Sequence, residues 1–346
     1  MMELLFTLFT AFLGGFILHK LRVPGGMMLG SVVMVAFFNV TTEAIYMPMG
    51  FRIVAQTIAG AYIGMTVKKE NLPRIKDLIR PIGTLLLGLF ITNVLVGTLI
   101  YLLSPLDLLT SLLAGIPGGI SDTPLIAKDL GADATKVTVL QFVRLISGIA
   151  MVPLLVKRDG KEGPQREVTK PSVIAKKPSP FGSKKLWGSL VLAFLAGTLG
   201  RILGVPAGTL LFAMLGIVLL KVLQVEVVFP MWFKRMAQLF SGAYIGSHFS
   251  YQDVLELRYL LLPAVILVTL NMASCFIMGH ILAKRYELPM AQAILSASPA
   301  GASDMALIAS DLGVSGSDVA LIQIARLIGA ISIFPQVFYL LVKLIT

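Results

Sequence analysis

Polar residues in this chain come in short clusters, and the stretches between them stay apolar for longer than a soluble helix needs. Runs at 81–103, 186–203, 260–282 and 327–345 approach or reach the ~20 residues that carry a helix across a bilayer. Six apolar segments mark the first part of the chain, at about 3–20, 25–41, 50–67, 80–103, 108–129 and 134–156. Six more follow at about 185–202, 207–223, 232–249, 262–285, 290–311 and 316–338. The predicted fold is all-α, a polytopic membrane protein.

The second set repeats the first. GAYIG at Gly60–Gly64 recurs as Gly242–Gly246, a displacement of 182 residues. The same displacement carries Val23-Pro24 onto Val205-Pro206, Gln56 onto Gln238, Pro81 onto Pro263 and Pro153 onto Pro335. It also carries Ser121-Asp122 onto Ser303-Asp304, Asp129-Leu130-Gly131 onto Asp311-Leu312-Gly313, and Gln141…Arg144 onto Gln323…Arg326. A duplicated hydrophobic chain is the usual mark of a secondary transporter built from two repeats. The expected organisation is a first membrane repeat at 1–156, a linker at 157–185 and a second repeat at 186–346.

Composition supports the membrane and removes other classes. Residues are 56% hydrophobic and 14% charged, where a soluble domain carries about a quarter charged. The net charge of +11 could suggest nucleic acid, but the basic residues fall between apolar runs and form no stripe along one helix. No nucleic-acid partner is expected. Cys275 is the only cysteine and lies in an apolar run, which excludes disulfides and cysteine-based metal sites. His19, His248 and His280 form no cluster, and no nucleotide, zinc-protease or serine-hydrolase motif occurs, so neither a cofactor nor an enzyme activity is expected. The N-terminus, apolar from the start with Glu3, reads as a first membrane helix and not as a cleaved signal. The linker carries nine basic residues, from Lys157 to Lys185, and Pro164, Pro171, Pro178 and Pro180, and reads as a flexible tether.

The fifth segment of each half is interrupted, by Gly115-Ile-Pro117-Gly118-Gly119 and by Pro299-Ala-Gly301. Proline removes a donor and glycine loosens the helix, so each segment predicts two short helices meeting at a tip, entering and leaving on one side. Each half then has about five transmembrane helices plus a re-entrant hairpin, and an odd number of crossings inverts the second half against the first. Loop charge follows that inversion. After the third segment stand Lys68, Lys69, Arg74, Lys76 and Arg80 in one half, against Asp253, Glu256 and Arg258 in the other. Ser104–Asp107 after the fourth segment is matched by Lys284 and Arg285, and Glu43 and Arg52 before the third by Lys221, Lys234 and Arg235. Basic loops on the inside place the linker in the cytoplasm and both termini outside.

Candidate chemistry sits at the tips and on the sixth segments. Gly118, Gly119 and Gly301 allow close approach to backbone, and bulk at Gly119 or Gly301 should not be tolerated. Ser121, Asp122, Ser303 and Asp304 open the second short helix of each hairpin, where they could cap it, contact a ligand, or both. Gln141 and Arg144 share one helix face, as do Gln323 and Arg326. A mid-membrane Arg faces the interior with a partner, and Asp122 and Asp304 are the expected partners. The alternatives are a structural ion pair and an anion clamp, since the Arg fork suits anions. Both GAYIG copies are G-x-x-x-G and predict close helix packing, with Tyr62 and Tyr244 candidates to line a path. Gln56, Gln238, Asn93 and Asn271 are weaker interior candidates.

On Val23–Gly26, the two GAYIG copies, and the Pro-Gly-Gly-Ile-Ser-Asp and Pro-Ala-Gly-Ala-Ser-Asp tips with their Asp-Leu-Gly sequels, the chain resembles the duplicated AbrB family of bacterial membrane proteins. Members carry labels such as AbrB-like regulator or ammonia monooxygenase. The second label has no support in these residues, because a copper or iron site needs clustered His or carboxylates. The small soluble DNA-binding regulator that shares the name is unrelated in pattern. More distantly, the chain is similar to the cation–proton antiporter, bile-acid symporter, glutamate and citrate carrier group. The citrate carriers have Gly-Gly-x-Gly tips, whereas these read Gly118-Gly119-Ile-Ser and Ala300-Gly301-Ala-Ser. The resemblance implies a protein of the bacterial inner membrane. The partners expected are the lipid bilayer and a small-molecule or ion ligand, with homodimer formation left open. The expected function is secondary transport of a small anionic or zwitterionic solute coupled to H⁺ or Na⁺. The alternative is a membrane regulator or sensor that influences gene expression through a bound ligand or partner.

Overall fold

The computed structural model describes residues 2–21, 23, 25–42, 44–66, 72–120, 122–158, 184–205, 207–223, 229–300, 305, 308, 309, 312 and 314–345. Of the residues singled out above, Pro24, Glu43, Lys68, Lys69, Ser121, Pro206, Gly301, Ser303, Asp304, Asp311, Gly313 and most of the linker lie outside that set. The helices are α1 Met2–Lys20, α2 Gly26–Thr42, α3 Met49–Thr66, α4 Leu72–Leu103, α5 Leu108–Gly115, α6 Thr123–Asp129 and α7 Ala134–Arg158. They continue with α8 Lys184–Ile202, α9 Gly208–Val222, α10 Met231–Gly246, α11 Tyr251–Glu256, α12 Leu261–Tyr286, α13 Met290–Ala297 and α14 Gly316–Ile345. No strand occurs among the described residues. Among the described residues, six stretches are long and apolar enough to cross a membrane: α1, most of α4 and α7, α8, the run from α11 through α12, and α14. The protein is an all-α polytopic membrane protein.

Two boundaries differ from the sequence expectation. The fourth segments begin earlier than expected, α4 at Leu72 and its counterpart at Tyr251, so charges assigned to loops lie within helices. The second start has a local cause. Ser250 Oγ accepts from the Asp253 amide at 3.2 Å while the Asp253 carboxylate accepts from the Ser250 amide at 2.7 Å, a capping box that opens the helix there. Arg52 and Lys234, also taken as loop charges, lie inside α3 and α10. Arg52 is only 8% exposed, so it reports packing and not membrane orientation.

The chain divides into two compact units, and each draws on both halves of the sequence. The first unit holds α1–α3, α6, the first turn of α7 and α8–α11. Its helices pack through small residues, and the contacts come in pairs displaced by 182. A Cβ on Gly64 would stand 2.6 Å from Met214 O in α9, and one on Gly246 would stand 2.8 Å from Val32 O in α2. Gly60 meets Leu210 O and Gly242 meets Met28 O in the same reciprocal way. Gly15 against Met27 O (2.6 Å from an added Cβ) is likewise repeated by Gly197 against Thr209 O at 2.9 Å. Helix ends obey the same exchange. Asn39 of α2 donates to Ser247 O and Phe249 O beyond α10, at 3.2 and 2.9 Å, while Lys221 of α9 donates to Met65 O in the last turn of α3. Each half thus supplies what the other half's third helix needs.

The second unit holds α4, α5, the rest of α7 and α12–α14. Here α4 lies on α12, and Thr92 Oγ1 and Ser274 Oγ share a hydrogen bond of 2.9 Å. These two residues are themselves displaced by 182. Gly97 seats Leu112 of α5 and Gly279 seats Ile294 of α13, again 182 apart. Phe90 stacks on Phe338 and meets Phe334 edge-on, fastening α14 to α4.

Close packing of backbone on backbone leaves no room for a side chain at the GAYIG glycines. Gly64→Val and Gly246→Val should each lower the melting temperature in detergent, by the effect of about 1–3 kcal/mol typical of overpacking. Gly83→Val and Gly188→Val, where an added Cβ meets nothing within 4 Å, should leave it nearly unchanged. Equal losses at all four positions would refute the packing role.

Candidate functional site

A helix that stops inside a membrane leaves its last four carbonyls without partners, and no water is at hand to accept the debt. Helix α5 ends at Gly115 because Ile116 turns to φ −55° and ψ 127° ahead of Pro117. The free carbonyls are met from neighbouring helices. Asn93 of α4 donates to Leu112 O at 3.2 Å. Gln141 of α7 donates its amide to Ala114 O and Ile116 O at 3.0 Å each, with a longer contact of 3.4 Å to Leu113 O. Arg144, one turn on, donates to Ile116 O at 2.6 Å, Gly118 O at 3.0 Å and Gln141 Oε1 at 2.6 Å.

The second hairpin repeats the arrangement. Helix α13 ends at Ala297, with Ser298 at φ −58° and ψ 138° before Pro299. Gln323 of α14 donates to Leu295 O at 2.7 Å and Ser298 O at 3.2 Å. Arg326 donates to Ser298 O, and to Ala300 O at 3.3 Å. Cys275, the repeat equivalent of Asn93, donates its thiol to Ile294 O at 3.5 Å. Every donor here has its counterpart at the displacement of 182, and so does every acceptor except Ala114 O and Gln141 Oε1.

Arg144 and Arg326 are 3% and 4% exposed, and the Nε of each is buried without a hydrogen-bond acceptor among the described residues. Gln323 Oε1 is buried without a donor among the described residues. The hydrogen bonds expected from Asp122 are made to Arg144 by carbonyls and by Gln141 instead. The physical reason is the deficit at the end of α5, which a forked donor can fill at two carbonyls at once. The matching pair Asp304–Arg326 lies outside the described residues through Asp304. Ser121, Gly301 and Ser303 lie outside them too.

Asp122 immediately precedes α6 and is buried, in the first unit. Its carboxylate makes no capping bond, because its backbone is already helical at φ −96° and ψ −45°. Capping, one of the two expected roles, is thus not what this side chain does.

A second charged cluster was not expected. In the first unit Arg52 of α3 forms an ion pair with Asp129 at the end of α6, and Gln56 donates to the same carboxylate at 2.5 Å. The Arg52 guanidinium also lies 5.6 Å from the centre of the Tyr244 ring. Lys234, the repeat equivalent of Arg52, stands 5.6 Å from the ring of Tyr62, the equivalent of Tyr244. The two tyrosines therefore hold cations of the opposite half. A signal was available, since displacement by 182 aligns Arg52 with Lys234 and Asp129 with Asp311, charge for charge. Among the described residues, no three His, Cys, Asp or Glu side chains group as metal ligands.

Removing one member of a buried ion pair typically costs ~3–5 kcal/mol, because the other charge is left unpaired. Asp129→Asn should thus destabilise the protein more than Asp129→Asn combined with Arg52→Gln, measured by thermal unfolding. Additive losses would show that the pair contributes nothing as a pair. Gln141→Leu and Gln323→Leu should each cost about 1–3 kcal/mol, the value of a buried carbonyl left without its donor. Wild-type stability in either variant would mean that those carbonyls find other donors.

Comparison with known proteins identifies the family. A family model described as "Transition state regulatory protein AbrB" matches residues 27–342. A protein of Escherichia coli (strain K12) named "Putative regulator AbrB" is 27% identical over 313 residues, covering 90% of this chain and 88% of that protein. "Uncharacterized protein YhjN" of Bacillus subtilis (strain 168) is 24% identical over 350 residues, covering 95% of this chain and 90% of that protein. The matched region takes in both interrupted helices and both Gln–Arg pairs, and the chain belongs to the AbrB family.

Proposed function

We propose that this protein is a secondary transporter-like membrane protein that moves a small anionic or zwitterionic solute, coupled to H⁺ or Na⁺. One observation carries the reading. Two guanidiniums are buried at two interrupted helices, each with its Nε edge lacking an acceptor among the described residues. A buried Arg in a membrane segment is a functional candidate by default, and a ligand oxyanion would satisfy what the carbonyls do not. Interrupted helices at the meeting of two repeats are where secondary transporters place their ligands. The ligand is carried unchanged, so the protein is not an enzyme.

The same reading takes the halves as inverted repeats, each with about five crossings and one re-entrant hairpin. The reciprocal glycine contacts support a two-fold relation, and the loop charge of the remaining clusters supports inversion. The linker is then cytoplasmic and the protein sits in the inner membrane of a bacterium. The likeness to the cation–proton antiporter and citrate carrier group points the same way.

The name of the E. coli relative favours a second reading, a membrane regulator that signals through a bound ligand. Its output would have to use the 29 residues of 157–185 or a partner protein. A segment that short falls below the ~40 residues at which unaided folding usually begins, so transport leads.

Cysteines placed at Asp107 and Gly131 should react with an impermeant reagent from outside, and those at Glu287 and Gly313 from the cytoplasm. Labelling of Asp107 and Gly131 positions from opposite faces would overturn the hairpin. Proteoliposomes should accumulate a labelled organic anion in response to a pH or Na⁺ gradient. Ligand-dependent stabilisation without any flux would favour the regulator.

A further inference from the structure

We infer that the solute bound in the second unit is a diacid, with one carboxylate seated on Arg144 and the other on Arg326. The inference rests on the proposed anion site and adds the class of its ligand.

Three observations converge. The first is equivalence: Arg144 and Arg326 are displaced by 182, hold equivalent carbonyls with the same terminal nitrogens, and have the same atom without an acceptor among the described residues. Whatever group suits one fork suits the other. The second is nearness within the unit. Gly148 follows Arg144 by one turn on α7, and a Cβ there would stand 3.4 Å from Ala300, whose carbonyl accepts from Arg326. The stretch of α7 that carries Arg144 therefore packs against the backbone that Arg326 holds. The third is charge. Neither guanidinium has a carboxylate partner among the described residues.

The ends of α5 and α13 offset part of this charge, each contributing about half a negative charge to the Arg that holds it. A carboxylate on each Nε edge removes the remainder, and Arg accepts a carboxylate on such an edge in a charge-assisted geometry. On the same reckoning a dianion leaves about one negative charge in excess, the condition under which a cation would travel with it. Two equivalent forks facing one region thus select for two separated anionic groups, where a single fork would select for one.

The test measures thermal stabilisation of the detergent-purified full-length protein by chemically simple anions at constant ionic strength. Malonate, succinate and glutarate are compared with acetate and butyrate, and with sulfate as a compact dianion. The best diacid should bind about ten- to a hundredfold more tightly than either monoacid, the worth of one additional hydrogen bond to a charged group. Arg144→Lys and Arg326→Lys keep the charge and a donor for the carbonyls but lose the Nε edge. Each should erase the diacid preference, and Lys136→Gln in the first unit, which loses the ion pairs to Glu256 at 2.7 Å and to Asp133 at 3.2 Å, should retain it.

Monoacids that bind as well as diacids would overturn the inference while leaving the anion site standing. Sulfate that matches the best diacid would overturn it too, by showing that charge and not two separated groups is recognised. Absence of stabilisation by every anion would overturn the site as well. If either lysine variant fails to fold, the wild-type series decides the question by itself.

Discussion

A polypeptide that stops a helix inside a membrane must find donors for the carbonyls it leaves open, and the rest of this structure follows from how that need is met. The donors are side chains of the helices beside each break. Gln141 and Arg144 serve α5, and Gln323 and Arg326 serve α13. The glutamine amides reach some of these carbonyls, and the guanidiniums reach Gly118 O and Ala300 O as well. The added guanidinium brings a charge into the unit's interior, and that charge is the physical root of the functional proposal. An Arg buried there costs ~2.5–3.5 kcal/mol on insertion scales, and more by other measures, so a chain that carries two has a use for them or a counter-charge.

Duplication gives the fold its economy of contacts. The third helix of each half lies against the second helix of the other, through glycines that admit backbone on backbone. The same exchange places Tyr244 by Arg52 and Tyr62 by Lys234. Neither half is a compact unit by itself, since both units take helices from both halves. The hairpin of the first half is shared as well, with α5 in the second unit and α6 in the first, where Leu125 enters the apolar core formed with Met27, Val35, Leu239 and Tyr244. The chain therefore passes from one unit to the other at the glycine-rich tip, which is also where Arg144 holds Gly118 O.

Asymmetry between the hairpins lies on the α4 and α12 side. Asn93 gives Leu112 O an amide donor, while Cys275 gives Ile294 O only a thiol. The first break is consequently held by one more strong hydrogen bond than the second. The charged cluster of the first unit is uneven in kind, since Arg52 can fork to Asp129 and reach Tyr244, whereas Lys234 is a point charge over Tyr62.

Much of this was legible in the order of residues. Apolar run length implied the membrane, because a bilayer demands about 20 apolar residues wherever a helix crosses it. The displacement of 182 implied the duplication, and Pro117 and Pro299 implied the broken helices, since proline lacks a donor whatever surrounds it. Spacing placed Gln141 with Arg144 on one face, and G-x-x-x-G announced close packing. Tertiary structure decided what these residues meet. Sequence separation made Asp122 the obvious partner of Arg144, yet three-dimensional supply and demand gave that Arg to carbonyls. Arg52 looked like a loop charge because it stands near a segment end, and only packing against α6 made it a buried partner of Asp129. Local rules act through neighbours along the chain and can be read from it. Partners across helices depend on which groups are left unsatisfied once all helices are in place, and that is settled only in the folded protein.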